Sequence, residues 1–430
     1  MKQRYREYSR DLAWMAAESF LNGKWERADV LRYLEEFAGV PRRKIYESEL
    51  TADVNIKIEA ADNLACIIED MVEDILNGRD PDYIDPATTS MRADGMTGKV
   101  RNIANLCIPH QLLGHLVALA LEPLFHAKLL PTQHASIPGH GQTKLKEQTA
   151  RYLRSGALGI SYIEKTDATQ AYASTKYSAV VEILKKEIPR AVWIIKVVEY
   201  LGKLAPGGCL IIGGYLDAWL FNLVMSYGLR YTLQQGQTRR GKFTRYVSKI
   251  EAYMDDCGFM ARTKTGVRKA VSAFTKWMDA TYGIRIRTTT GIIRIMSVEE
   301  EKRRRSLGKP SQRGCPCLDM GGYRVSRTHV TMRPRVAKRV IRTLKRAWQE
   351  IQETGTIQRQ RVCSVISRFG SIKGNCSQRF KEKYHVDQIM RMARAIASYW
   401  GRERSRKRQV WLERAIKRCG AFEREMMERS

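Results

Sequence analysis

The stretch Ile250-Glu251-Ala252-Tyr253-Met254-Asp255-Asp256-Cys257-Gly258-Phe259-Met260 decides how the rest of this chain is read. Two adjacent carboxylates stand between two apolar runs. Each run has the β-prone composition of a short strand, and the Asp-Asp pair falls at the expected turn. A tight hairpin holds both acids at its tip. Like charges side by side repel, and a buried pair is costly unless a cation neutralises it. Divalent magnesium bound by carboxylate oxygens does so. The competing reading is a solvated turn, because Asp is common in turns. The full Tyr-Met-Asp-Asp tetrad is more specific than the pair, and its context has to decide.

The totals narrow that context. The chain has 430 residues, 43% of them apolar, enough for two or three domains with a sizeable core. Its net charge is +30 and uneven: residues 1–90 carry −7, residues 91–300 carry +14, and residues 301–430 carry +23. Such a basic excess points to a polyanionic partner, most simply nucleic acid, with a membrane surface as the alternative. No membrane anchor is expected. Pro109, His110, His115 and Glu122 interrupt the apolar stretch 107–125; Lys196, Glu199, Lys203 and Asp217 interrupt 191–225. The charged start, Met1-Lys2-Gln3-Arg4-Tyr5-Arg6, leads into no apolar run, so no secretory signal is expected. Nine scattered cysteines read as reduced thiols in a cytoplasmic protein. Cys315, Cys317 and His329 are three candidate zinc ligands lacking an evident fourth.

In chain order, residues 1–90 read as a helical N-terminal extension. Leu12, Met15, Ala16 and Phe20 recur at helical spacing, as do Leu64, Ile67, Ile68, Met71 and Ile75. The latter helix carries Glu59, Asp62, Glu69, Asp70, Glu73 and Asp74 on its other side. That is a solvated face or a docking face, for the basic C-terminal part, a second copy or a protein partner. Lys99 and Arg101 alternate on an expected strand, either protecting a strand edge or clamping a triphosphate. Ser136-Ile137-Pro138-Gly139-His140-Gly141 enters a basic helix, where backbone N–H groups can hold an anion. Residues 160–167 form an expected strand ending in Asp167, either a helix cap or a third carboxylate. A helix follows from about 176 to 188. Gly213-Gly214 precedes the helix stripe Leu216, Leu220, Leu223, Val224 and Tyr227, and residues 234–241 read as a polar loop. After the Asp-Asp hairpin come a helix over 266–280, strands at 284–286 and 292–295, and a charged linker over 299–313. Met320-Gly321-Gly322-Tyr323-Arg324-Val325 and His329-Val330-Thr331-Met332 read as a hairpin. From Pro334 the chain is helical and basic.

This order of motifs resembles the reverse transcriptases over roughly residues 95–400, most nearly the small enzymes of diversity-generating retroelements, retrons and phage-defence systems. The resemblance implies an α+β, right-hand polymerase fold. The extension 1–90 would be followed by fingers at 91–160, a palm with inserted finger elements at 161–335, and a basic helical thumb and tail at 336–430. It implies an RNA-directed DNA polymerase with two Mg²⁺ ions, or Mn²⁺ in their place, held by Asp167, Asp255 and Asp256. Lys99, Arg101, Tyr172, Ile212 and Gly213 would bind the dNTP, with Tyr172 under the sugar. Gly322 and Tyr323 would form the primer grip. An RNA template, in some such systems a dedicated non-coding RNA, and a DNA/RNA hybrid would be the partners. The segment Ile212-Gly213-Gly214-Tyr215-Leu216-Asp217-Ala218 departs from the family in carrying Asp217-Ala218 for Ser-Gln. Near Thr288-Thr289-Thr290 the usual lysine is missing, with Arg285 or Arg287 as substitutes. Ile212 stands where high-fidelity relatives carry glutamine, which implies lowered fidelity. Rival readings are an RNA-making or template-independent nucleotidyltransferase and an inactive RNA-binding platform.

Overall fold

The computed structural model describes residues 3–82, 84–93, 100–307, 316–372 and 376–429 and mixes helix with sheet. Four helices open the chain: Arg10–Leu21, Ala28–Glu36, Arg42–Thr51 and Asn55–Leu76. The first starts where the Ser9 hydroxyl accepts from the Leu12 N–H at 3.2 Å. Its apolar face and that of Asn55–Leu76 pack together, burying Ala16, Phe20, Leu64 and Ile68. The acids of Asn55–Leu76 pair within the N-terminal region: Asp62 and Glu69 with Arg10, Glu59 with Lys44, Asp74 with Arg79. The basic C-terminal helix Val386–Arg429 does return to this region, but on other residues. Arg408 pairs with Glu26 at 2.7 Å and with Glu49, Trp411 meets Tyr46 edge-on at 5.3 Å, and Leu412 is buried.

One apolar core runs from these helices through Ile108–Ala120, Val192–Leu204 and Tyr215–Gln234 to the central sheet. The sheet is antiparallel. Its middle strand, Tyr162–Ala168, lies between Asp256–Ala261 and Ile286–Thr288, and Lys249–Tyr253 pairs outside Asp256–Ala261. Strand alternation puts Ile163, Lys165 and Asp167 on one face and Glu164 and Thr166 on the other. The helix Lys264–Tyr282 packs against Tyr162–Ala168 and Asp256–Ala261, capped by Thr263 at its start and by Gly283 (φ 68°) at its end.

Two expected loops are structured. Residues 236–245 form a β-ribbon, Gly236–Arg239 with Lys242–Arg245, closed by Arg240 and Gly241 at φ 50° and 73°. Two residues at positive φ are what a tight hairpin turn needs. The charged linker begins as a helix, Val298–Ser306. Ser297 and Glu300 cap it reciprocally: the Ser297 hydroxyl accepts from the Glu300 N–H at 3.1 Å, and the Glu300 carboxylate from the Ser297 N–H at 2.7 Å.

A second, three-stranded sheet, Leu318–Met320, Tyr323–Val325 and Val330–Met332, follows. The helix Pro334–Thr354 then buries Val340, Leu344 and Ala347 against Val362, Val365, Ile389 and Ala393, a separate apolar core. Among the described residues no helix is long and apolar enough to cross a membrane.

Candidate active site

Asp167, Asp255 and Asp256 are brought together. The antiparallel register pairs Thr166 with Cys257, which sets Asp167 beside Asp256 on neighbouring strands. Tyr253 pairs with Asp256, leaving Met254 and Asp255 as a two-residue turn. Met254 holds φ 55°, a left-handed conformation that glycine adopts far more readily. Such strain persists only where surrounding structure enforces it, and it clusters at functional sites. Here it turns the Asp255 carboxyl onto that of Asp167, with which it shares a hydrogen bond.

The electrostatics follow from crowding. Burial first, then the charge and hydrogen bond of Asp167 and the charge of Asp256, push Asp255 up to about 6. Burial also raises Asp256, while Lys165 and Arg333 oppose that shift. Lys165 donates to Asp256 Oδ2 at 2.9 Å, and Arg287 to Asp167 Oδ2 at 2.6 Å. Asp256 Oδ1 is buried without a partner. Three neighbouring carboxyl groups, one with a buried oxygen left unpartnered, have the chemistry that a divalent cation such as Mg²⁺ takes. Lys165 and Arg287 now take oxygens that a cation would take. Among the described residues no group of three His, Cys, Asp or Glu side chains stands arranged to hold a metal ion.

The other expected residues divide. Tyr172 lies in the short helix Ala171–Ser174, its ring stacked on Phe221 at 5.2 Å. Its hydroxyl is raised by burial and then by the charges of Asp217 and Asp255, with Arg101 opposing, so it lies among all three. Arg101 is exposed on Val100–Asn105, directly opposite Arg92 of the paired strand Thr88–Ala93. Two cations facing each other on an exposed ribbon are destabilising unless an anion joins them. Lys99 lies outside the described residues. Ile212 is half-buried, and its carbonyl accepts from the Ala104 N–H at 2.9 Å. Gly213, at φ 110°, lies so close to the same strand that a Cβ would come within 3.1 Å of Ile103. These two residues therefore dock the Arg101 strand.

Gly322, at φ 84°, turns the hairpin that carries Tyr323. Tyr323 is buried in the apolar cluster that holds Leu145, Met260 and Leu318, with Lys146 over its ring at 5.1 Å. Leu318 lies against Gly258 of the Asp256 strand, which places this hairpin beside the carboxylates. The zinc expectation gains nothing: Cys315 lies outside the described residues, Cys317 accepts from Arg324 Nε at 3.0 Å, and His329 binds the Ser326 hydroxyl at 2.8 Å.

Sequence reasoning missed Lys165, although strand alternation from Asp167 places it on the same face. It also missed Glu251 and His134, fully buried and bonded Nε2 to Oε2 at 2.5 Å just behind the hairpin tip. Burial pushes Glu251 up to about 9 and His134 down to about 4. Asp217, read only as a departure from the family motif, is a buried acceptor. Its Oδ1 takes the Ile211 N–H at 2.9 Å and the Tyr177 hydroxyl at 3.0 Å.

No family model matches the chain, and no curated protein matches it. Among solved structures it is similar to the Sicinivirus 3Dpol RNA dependent RNA polymerase, with a TM-score of 0.32 and 14% identity over 51% of this chain and 48% of that one. The chain thus spans about half the length of that polymerase.

Proposed function

We propose that this chain is a nucleotidyltransferase, and specifically an RNA-directed DNA polymerase. The observation that carries the reading is the convergence of Asp167, Asp255 and Asp256 at one edge of an antiparallel sheet, on a turn strained at Met254. Asp167 and Asp255 would hold two Mg²⁺ ions with help from Asp256. When bound there, the ions lower the pKa of a primer 3′-hydroxyl and stabilise the leaving oxygen. The protein's part is positioning and charge neutralisation. Arg101, with Lys99 before it, would bind the triphosphate. Tyr172, braced on Phe221, would lie under the sugar. The Gly322 turn would seat the primer end. Lys165 and Arg287, paired with Asp256 and Asp167, would have to yield those oxygens to the ions.

On this reading the central sheet is a palm, the ribbon Thr88–Ala93 with Val100–Asn105 belongs to fingers, and the helices from Pro334 are a thumb. The thumb would follow an RNA/DNA hybrid through its phosphates, so affinity should fall steeply with salt. Primer extension on an RNA template with Mg²⁺ and dNTPs tests the proposal. Template-dependent cDNA supports it. A preference for NTPs makes it an RNA-making enzyme, extension without template a template-independent one, and tight RNA binding without synthesis an idle platform. A role in phage defence or in a mobile element rests on the sequence resemblance alone. Sequencing the nucleic acid bound to protein purified from its host tests it.

A further inference from the structure

A cavity of about 500 Å³ lies where the N-terminal helices meet the core, and none of the three carboxylates lines it. Lys24, Arg27, His110, His115, Gly213 and Tyr215 line it. Its size is in the range of small-molecule sites. Its charge is unusual. Lys24 is half-buried, and among the described residues no carboxylate pairs with it; its Nζ bonds to His115 Nε2 at 3.0 Å and lies over the Phe20 ring at 4.4 Å. Burial, then the charge of Arg27, push Lys24 down to about 8 against an opposing pull from Asp29, and burial pushes His115 to about 3, so the imidazole is a neutral acceptor. Arg27 lines the same space and is bonded to Asp29 through Nε and Nη2, while its Nη1 faces Gln111 at 3.5 Å. His110 is 3% exposed, and its Nδ1 is buried without a partner. Asp217 also lines the cavity, but its Oδ1 is committed to Ile211 and Tyr177.

A half-buried lysine bonded to no carboxylate, in a cavity that is also lined by an imidazole with an unpartnered ring nitrogen, is a site suited to an anionic ligand. The ring of Tyr215, stacked on His115 at 4.2 Å and 45% exposed, adds an aromatic surface. We infer that this cavity binds a phosphorylated small molecule of about mononucleotide size, its phosphate on Lys24 and Arg27 and its remainder toward Tyr215 and His110. The binding is independent of the carboxylate centre and needs no divalent cation. Because Gly213 and Tyr215 belong to the turn that docks the Arg101 strand, occupancy braces that turn from behind.

The test uses the full chain carrying Asp255→Asn, in EDTA, so that the carboxylate centre contributes nothing and failure here leaves the polymerase reading untouched. Calorimetric titrations with AMP, pyrophosphate, inorganic phosphate and adenosine separate the sources of the chemistry. Saturable one-to-one binding of AMP tighter than pyrophosphate assigns a nucleotide; the reverse order assigns a free phosphate species; both support the site. Lys24→Met, which keeps the stem and removes the charge, should weaken binding at least tenfold. A readout on the chain with Lys24 intact guards against misfolding of that variant. Lys24, with its lowered pKa, should be acylated quickly at pH 8, and AMP or pyrophosphate should protect it, as read by peptide mass spectrometry. Absence of saturable binding by all four probes, or binding that neither depends on Lys24 nor protects it, overturns the inference.

Discussion

At the 211–217 turn a buried aspartate, and at the 253–256 hairpin tip a half-buried one, is pushed up to about 6, and loss of water is the first cause at both. The surroundings differ. Asp217 has two donors on Oδ1, and no second acid is among the causes of its shift. Asp255 faces Asp167 and Asp256, and the neighbouring Asp256 Oδ1 has no partner. A satisfied buried acid belongs to the fold. An acid held against other acids destabilises the fold and needs something else to explain its place. Acidity alone does not separate the two sites; the partners do.

The largest effect should come from breaking the unsatisfied side. Asp255→Asn is expected to reduce DNA synthesis by about a thousandfold or more, in line with losing a metal-anchored electrostatic contribution of several kcal/mol. Thermal stability should stay level or rise, because one of three repelling charges is gone. Parallel primer-extension rates and melting curves measure both. A variant that polymerises at the unmodified rate in Mg²⁺ removes Asp255 from the chemistry.

The satisfied side should respond in stability instead. Asp217→Ala leaves the Ile211 N–H and the Tyr177 hydroxyl without an acceptor, a loss of about 1–3 kcal/mol for each. The cost should depend on pH. The side chain titrates near 3.8 when unfolded and near 6 when folded. A raised folded value adds stability below the unfolded pKa and loses it as pH rises through the folded one, here by about 3 kcal/mol. Asp217→Ala should therefore be most damaging below about pH 4 and least damaging near pH 8. Urea unfolding at both ends of that window checks it, and an equal cost at both would mean that Asp217 is not held as the geometry implies.

The difference between these sites also marks what the sequence made legible. The Asp255-Asp256 pair and Asp167 were readable because their signals are local: a turn between apolar runs, and an acid ending a strand. Lys165 was equally local, two residues before Asp167 on the same face, and was missed because alternation was not followed back. The charge run over 299–313 reads as a linker, although Ser297-x-x-Glu300 at its start has the capping-box pattern of a helix start. Arg287 on Asp167 depends on which strand pairs beyond the helix Lys264–Tyr282, and the His134–Glu251 bond joins residues 117 apart. No periodicity carries such pairings. The role of Asp217 was hidden for the same reason, since Tyr177 lies 40 residues away.

Tyr172 lies between the two acids, with its ring on Phe221 and its hydroxyl within the influence of both. Tyr172→Ala shows to which side it belongs. If the ring fills space that a 2′-hydroxyl would need, the variant should gain ribonucleotide incorporation by about tenfold, the scale of a steric or apolar contact. Competition between rNTPs and dNTPs on one template measures the ratio. A lower melting temperature with an unchanged ratio would assign the ring to the packing side.

Ile212 should give the smallest effect, and it tests the boundary within a single residue. Its backbone belongs to the fold, because its carbonyl holds the Ala104 N–H, and any side chain preserves that bond. Its half-buried side chain is the part that can differ in function. An isoleucine offers shape without a hydrogen bond, and apolar contact discriminates by only about 1–3 kcal/mol. An amide at this position adds a donor and an acceptor that can respond to the geometry of the incoming pair. Ile212→Gln is therefore expected to lower misincorporation by a few-fold, at a stability cost of about 1 kcal/mol from the lost apolar contact. Sequencing cDNA made by both proteins from one mixed-sequence RNA template decides. A shifted error spectrum extends the functional side of the comparison as far as the 211–217 turn. Equal spectra with the small stability loss leave Ile212 wholly to the packing that docks the Arg101 strand.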